Sequence, residues 1–425
     1  MLNEKEQQSP VDLGGDWNKF NGLVAGKSYF FKSKIRRALR DYWNFHYLLK
    51  HFDYKSAYNL FYTRTLVPTG EGSQRWFYHL GLQKYLMKYP DRVPVPRFFE
   101  METTTICNKK CFICEHTHWT EGTQEIRHIT LEEFKHVANQ FPNVRWVNLT
   151  GEGSSFLNND FIPMIKYLRN NFKTSVWLVD HLSDITHEKL KELQTLIHGI
   201  YISIDGATKG TYEFIKEGCD FDKVVNNIKY LLQLKRERNS PFPNIHFRYV
   251  IIKENVNEIP QFLDLINSMG KPWEWGGVAG VEFAGLLYFP TVDNHYVRNI
   301  PGDLAEELKK RKNGIFFRFD HVVEDMNPPI DCCLAWMEPY IMLPGYVIPC
   351  CGVLMSNNRQ HLRDYSFGNV FEKDFKEIWK SDYYSKFRRM VVTPDAPVPR
   401  VCSECRGYQT KHRIEKYGIW DERAT

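Results

Sequence analysis

Three cysteines, Cys107, Cys111 and Cys114, stand in the run Thr105-Ile106-Cys107-Asn108-Lys109-Lys110-Cys111-Phe112-Ile113-Cys114. Thiolates this close together suit three corners of a cubane iron-sulfur cluster and leave its fourth iron for chemistry. A structural metal site normally closes its coordination with four protein ligands, whereas a site that works on something keeps a position open. No obvious fourth cysteine accompanies the trio, which fits the open case. Zinc is the competing use of the same residues, because His116 and His118 follow closely and imidazole completes many thiolate sites.

A second set lies toward the carboxyl end: Cys332-Cys333-Leu334-Ala335-Trp336, then Gly345-Tyr346-Val347-Ile348-Pro349-Cys350-Cys351, then Cys402-Ser403-Glu404-Cys405. Four thiolates from this region close one further cluster, and the C-x2-C pair at 402 and 405 equally makes half of a zinc ribbon. Ten cysteines in 425 residues are too few for a disulfide scaffold, and their grouping reads as metal ligation in a reducing compartment. Cys219 stands alone and reads as a small buried hydrophobe.

The elements that position these residues follow from periodicity. Apolar runs at Phe98 to Thr103, Val144 to Leu149, Ser175 to Val179, Gly199 to Ile204, Ile245 to Ile252 and Val278 to Ala284 read as buried parallel strands. Helical patterns fall between them at Thr130 to Gln140, Phe161 to Asn170, Thr186 to Leu196, Asp222 to Arg238 and Glu258 to Met269, the first opened by a Thr130/Glu133 capping box. The prediction is an α/β fold: a partial (βα)6 TIM-type barrel over 98–290, with functional residues at the carboxyl ends of its strands. A helical extension over 1–97 precedes it, and a small iron-sulfur domain over 291–425 follows.

The extension is basic and aromatic, with Lys27, Lys32, Lys34, Arg36, Arg37 and Arg40 beside Tyr29, Phe30, Phe31, Tyr42, Trp43 and Phe45. Tyr42, Phe45, Leu48 and Leu49 recur at helical spacing. A solvated helical face packed on the main domain and peripheral contact with an anionic membrane are the two readings. The net charge of +5, from 56 basic and 51 acidic side chains, is too small an excess to point to nucleic acid. Met1 to Gly14 is polar, without the apolar core of a signal peptide, and no apolar run has spanning length, so the expected location is cytoplasmic.

The C-x3-C-x2-C spacing resembles the signature of the radical S-adenosylmethionine (SAM) superfamily, in which the free iron is chelated by the amino and carboxylate groups of SAM. Where that family usually has an aromatic residue before the last cysteine, this chain has Ile113, preceded by Phe112. Asn148-Leu149-Thr150-Gly151-Glu152-Gly153 resembles the family's Gly-Gly-Glu-Pro element, with Thr150 for the first glycine and Gly153 for the proline. The resemblance assigns Gly151 and Glu152 to the SAM amino group. Ile202-Ser203-Ile204-Asp205-Gly206 is similar to the family's Ser-x-Asp-Gly, which implies Ser203 at the SAM ribose and Asp205 toward substrate. Lys216 occupies the place of an arginine that pairs with the SAM carboxylate, without the guanidinium fork. Arg248 is another candidate for that carboxylate, and Asn255 matches a family position after the fifth strand.

The second cysteine set resembles the SPASM and twitch extensions of the same superfamily, together with Phe367-Gly368-Asn369-Val370 and Glu377-Ile378-Trp379-Lys380-Ser381. The shortened form implies one auxiliary [4Fe-4S] cluster on Cys332, Cys350, Cys402 and Cys405, with Cys333 and Cys351 spare. The resemblance as a whole implies reductive cleavage of SAM to a 5′-deoxyadenosyl radical that takes hydrogen from a sugar-like small molecule or a peptide. The auxiliary cluster accepts an electron in a net oxidation, and a flavodoxin or ferredoxin supplies the reducing electron. An iron-sulfur electron carrier or interaction protein without SAM chemistry is the alternative of another class.

Overall fold

The computed structural model describes residues 17–65, 88–119, 125–269, 279–286, 290–311, 317–320, 339–354, 359–393, 395–405 and 410–421. All six expected strands form: β1 Phe98–Met101, β2 Trp146–Leu149, β3 Ser175–Asp180, β4 Gly199–Ser203, β5 Asn244–Ile251 and β6 Gly280–Gly285. They pair in chain order and all in parallel. Two helices precede them, α1 Trp17–Lys50 and α2 Tyr54–Thr65. The crossovers are α3 Leu131–Asn139, α4 Phe161–Asn171, α5 His187–Leu193, α6 Lys209–Ile215, α7 Phe221–Glu237 and α8 Ile259–Met269. The capping box at Thr130 forms as expected, with Glu133 returning its carboxylate to the Thr130 N–H at 2.8 Å. Helix α6 has too few turns to show a period in the sequence and is set by its Thr208 N-cap.

Side chains alternate across a strand, so each strand divides its residues between two faces. Val147, Leu149, Leu178, Ile200, Ile202, Phe247 and Phe283 are buried in the core shared with the crossover helices. The inner face carries an aromatic layer, with Tyr201 stacked on His246 at 5.0 Å and Trp177 5.8 Å from each of them. Two residues further along the strands, Glu100 pairs in register with Asn148, Ser203 with Arg248, and Arg248 with Glu282.

The sheet does not end at six strands. β7 Phe317–Asp320 adds parallel to β6, and β8 Tyr340–Met342 adds parallel to β1, with β9 Tyr346–Ile348 antiparallel beyond it. These strands of three or four residues are too short to show alternation, and their pairing partners lie far away in sequence. Helix α9, Leu304–Lys310, precedes β7. The described part of the N-terminal extension is mainly helical, as expected, and α1 covers the β7 end of the sheet. Phe20 and Val24 are fully buried, and the Phe20 ring meets Phe319 edge-on at 5.0 Å. Leu48 is buried with Ala57 and Phe242, whereas Tyr42 and Leu49 stay exposed. The side chains of Lys27, Lys32, Lys34, Arg36 and Arg37 lie outside the described set. No described helix is long and apolar enough to cross a membrane.

Phe20→Ala is expected to destabilise the full chain by about 3–4 kcal/mol, the cost of a cavity under a buried ring. Chemical denaturation followed by circular dichroism reads this directly, and an unchanged midpoint would show that α1 does not brace the sheet.

Candidate active site

Cys107, Cys111 and Cys114 lie on the loop that leaves β1, all partly buried. Asp184, from the loop after β3, ties this loop down. It takes Lys109 Nζ at 2.8 Å, Asn108 Nδ2 at 3.2 Å and the Ser154 hydroxyl at 2.7 Å. The Lys110 N–H donates to the Glu217 carbonyl at 2.9 Å. His116 and His118 turn their Nε2 atoms to the carbonyls of Thr105 and Phe112, at 2.9 and 2.7 Å. Both rings therefore brace the cysteine loop. A single zinc would draw its thiolates to about 4 Å of one another. Among the described residues no three cysteine, histidine or carboxylate side chains converge in that way. The three thiols still sense one another electrostatically, with Cys111 pushing up the pKa of both Cys107 and Cys114, though burial is the larger cause for each. Ligands on three separate irons of a cubane, unlike those of a single zinc, need not converge on one point.

Where the family usually has an aromatic residue, Ile113 and the Phe112 before it together form an apolar wall. Phe112 and Ile113 pack on Ile215, Ile252, Leu286 and Val292. Cys219 is buried, as expected, and its thiol also hydrogen-bonds Cys111, which lowers the Cys111 pKa to about 7.

At the end of β2 the two glycines around Glu152 let the chain lie against β1. A Cβ on Gly151 would sit 2.4 Å from Glu102 Cγ, and one on Gly153 would sit 2.4 Å from the Thr104 carbonyl oxygen. Glu152 and Glu102 share a fully buried arginine from the far carboxyl region. Arg359 donates to Glu102 at 2.9 and 2.6 Å and to Glu152 Oε2 at 2.7 Å. Glu152 Oε1 is buried with no partner among the described residues. Burial raises the Glu152 carboxyl to about 8. An orphaned buried carboxylate oxygen at the mouth of the barrel fits a ligand ammonium, as the SAM amino group would supply.

The other expected site residues gather nearby. Asp205 is 1% exposed, takes the Val250 N–H at 2.6 Å and pairs with Lys216 at 2.8 Å. Asp205 and Lys216 are thus paired with each other at the end of β4. Asn255 donates both amide hydrogens to the backbone, to the Asp205 and Val250 carbonyls at 2.9 and 2.8 Å, and accepts from the Ile252 N–H. It fastens the end of β5 to that of β4. Arg248 bonds Glu282 at 3.1 Å, and Ser203 stands beside it in register.

The second cysteine set is seen in part, because Cys332 and Cys333 lie outside the described residues. Cys350 follows β9, whose hairpin turns at Gly345 with φ +123. A side chain there would strike the Phe371 ring and Asn369 Oδ1 at 2.5 and 2.6 Å. The Gly368-Asn369 landmark closes on the same hairpin, since the Val370 N–H bonds the Gly345 carbonyl and the Val347 N–H that of Gly368. Cys350 and Cys402 both act electrostatically on Tyr384, whose buried hydroxyl has no partner among the described residues. Cys405 Sγ lies 4.0 Å from the Gly352 carbonyl. These three thiols with a donor waiting beside them fit a second cluster. Cys351 turns away, its thiol hydrogen-bonding Glu100 on β1.

Glu102, Asp184 and Arg359 were not among the expected site residues. Nothing local marks them, because each acts only through a partner distant in sequence.

The Radical SAM superfamily profile matches residues 101–266, and that of the SPASM iron-sulfur cluster-binding domain matches residues 332–406. A Pyrococcus furiosus protein described as a tungsten-containing aldehyde ferredoxin oxidoreductase cofactor-modifying protein is 23% identical over 331 residues, covering 73% of this chain and 87% of its own. A probable GTP 3',8-cyclase of Methanococcus maripaludis is 22% identical over 226 residues, covering 52% of this chain and 69% of its own. Among solved structures, Streptococcus suis SuiB bound to S-adenosylmethionine superposes with a TM-score of 0.53 at 14% identity, over 86% of this chain and 83% of that one. That likeness is one of fold.

One group at this end of the barrel yields a pH prediction. Burial lifts the Asp180 carboxyl, which accepts the Leu182 N–H at 2.6 Å, from 3.8 to about 7. The unfolded chain loses this proton first, so stability falls as pH rises from 3.8 through about 7. Asp180→Asn keeps an acceptor and removes the dependence. Thermal melts should show the variant gaining stability over wild type as pH rises from 4 to 8, by up to about 4 kcal/mol, with the gap smallest near pH 4. A pH-independent gap would contradict the assignment.

Proposed function

This chain belongs to the radical SAM superfamily and carries a C-terminal SPASM iron-sulfur cluster-binding domain, and we propose that it oxidises a polar, sugar-like small molecule held against the inner face of the barrel. The observation that carries this reading is the layered lining below the cysteine loop. The stacked pair Tyr201 and His246, with Trp177 tilted against both, offers a floor for the apolar faces of a compact ring. Above them, Glu100 with Asn148 at 2.6 Å and Arg248 with Glu282 at 3.1 Å supply acceptors and donors for hydroxyl groups.

Bound at Cys107, Cys111 and Cys114, a reduced [4Fe-4S] cluster with SAM supplies a 5′-deoxyadenosyl radical able to take hydrogen from carbon. Glu152 receives the SAM amino group through its unpartnered Oε1, and Ser203 faces the ribose. The wall of Phe112, Ile113, Ile215 and Ile252 keeps water from the reacting end. Oxidation at a hydroxyl-bearing carbon also releases a proton. Glu100, its pKa pushed up by burial, is placed to accept it from the substrate hydroxyl. Cys350, Cys402 and Cys405, with Cys332, would hold one auxiliary cluster, which would supply an acceptor for the remaining electron.

Anaerobically reconstituted protein is expected to hold about 8 irons, falling to about 4 when Cys107, Cys111 and Cys114 are all changed to alanine. Reduced wild type with SAM should release 5′-deoxyadenosine, and the triple variant should not. Deuterium carried from a C-deuterated polyhydroxylated substrate into 5′-deoxyadenosine would support the substrate class. Unchanged iron in the variant, or no 5′-deoxyadenosine from wild type, would overturn the reading.

A further inference from the structure

Arg359 belongs to the carboxyl region of the chain, yet its side chain is fully buried at the carboxyl ends of β1 and β2. Besides its three bonds to Glu102 and Glu152, Nη2 donates to the Leu343 carbonyl at 3.3 Å. Its guanidinium lies 5.0 Å from the ring centroid of Trp119, five residues past Cys114. Four pieces of chain therefore meet on this one group: the ends of β1 and β2, the cysteine loop and the segment after β8.

The charges in this cluster do not cancel. With both carboxyl groups ionised, one guanidinium leaves one negative charge, which burial makes costly until a cation arrives, and the Glu152 oxygen turned away from Arg359 is the one without a partner among the described residues. A ligand ammonium supplies both the missing charge and the missing donor. If Arg359 served Glu152 alone, the pair would be neutral and the ammonium less welcome. If Arg359 were absent, two adjoining buried carboxyl groups would share a proton, and Glu152 would lose its fixed orientation.

Arg359 opens a short helix, α11, which spans Arg359–Asp364 and follows α10, Cys351–Leu354. Two residues on, His361 Nε2 bonds the Arg400 carbonyl at 3.0 Å, and His361 Nδ1 lies 3.6 Å from the Glu404 carboxylate, between Cys402 and Cys405. The helix thus reaches the carboxylates of the barrel with one side chain and the C-x2-C segment of the auxiliary unit with another.

Resting on the reading of Glu152 as acceptor of the SAM amino group, we propose that Arg359 is the positioning residue that holds Glu152 for that group, so that the auxiliary unit, through α11, sets the SAM affinity of the barrel site. The test uses full-length protein reconstituted with iron and sulfide. SAM dissociation constants come from equilibrium dialysis, and the SAM-induced change in the electron paramagnetic resonance spectrum of the reduced cluster reports binding next to the iron. Arg359→Gln is expected to keep its iron and weaken SAM binding by about ten-fold or more. Arg359→Lys, a charge without the fork, should fall between it and wild type.

Glu102→Gln leaves Arg359 wholly to Glu152 and is expected to weaken SAM binding by about five-fold. It decides the matter if Arg359→Gln does not fold. Unchanged or tighter SAM binding in a folded variant overturns the proposal, and tighter binding would mean that the guanidinium merely repels the cation. Wild-type protein that holds its iron yet does not bind SAM would overturn the proposed function, and this proposal with it.

Discussion

The arrangement depends on a buried charge held in place, the guanidinium of Arg359 between Glu102 and Glu152. Two carboxylates taken out of water at the ends of neighbouring strands would repel each other and drive the strand ends apart. The arginine turns that repulsion into a clasp, and because it arrives from beyond β9, the clasp also ties the barrel to the carboxyl region. Breaking such a group by removing one member leaves an uncompensated charge in a dry place, which makes the cluster a strong constraint on where these chain segments can lie. The ion pair between Asp205 and Lys216 repeats the device two strands away, under the ends of β4 and β5.

Around these pairs the cysteine loop is shaped by polar contacts more than by packing. Asp184 gathers Asn108, Lys109 and Ser154, and the two histidines return their rings to the backbone. A loop fastened at so many points keeps its thiols near their working positions, which lowers the ordering cost of binding a large inorganic group. The neighbouring thiol of Cys219 adds a hydrogen bond to one prospective ligand, a contact of the kind that tunes such centres.

Much of this fold was legible in the sequence. All six barrel strands and five of the crossover helices left a clear hydrophobic period, and Thr130 with Glu133 announced a helix start. The cysteine groups were legible because thiol spacing within one loop is a local property. What stayed hidden was short or distant. β7 and β8 carry four and three residues, and α6 is a two-turn helix set by its cap. Glu102, Asp184 and Arg359 looked like ordinary charged residues because their meaning lies in partners up to 257 positions away. Asp205 and Asn255 were noticed, but a pattern of residue types does not show that one accepts a strand N–H and the other ties two strand ends together.

The pairing of β8 with β1 has a consequence for how the chain matures. Glu100 stands opposite Tyr340, and Met101 opposite Ile341. During synthesis, then, one margin of the barrel has bare amide and carbonyl groups until the chain has emerged as far as Met342. Such late closure is slow and invites wrong partners. It also leaves the strand that leads into the cysteine loop without one of its two neighbours until then.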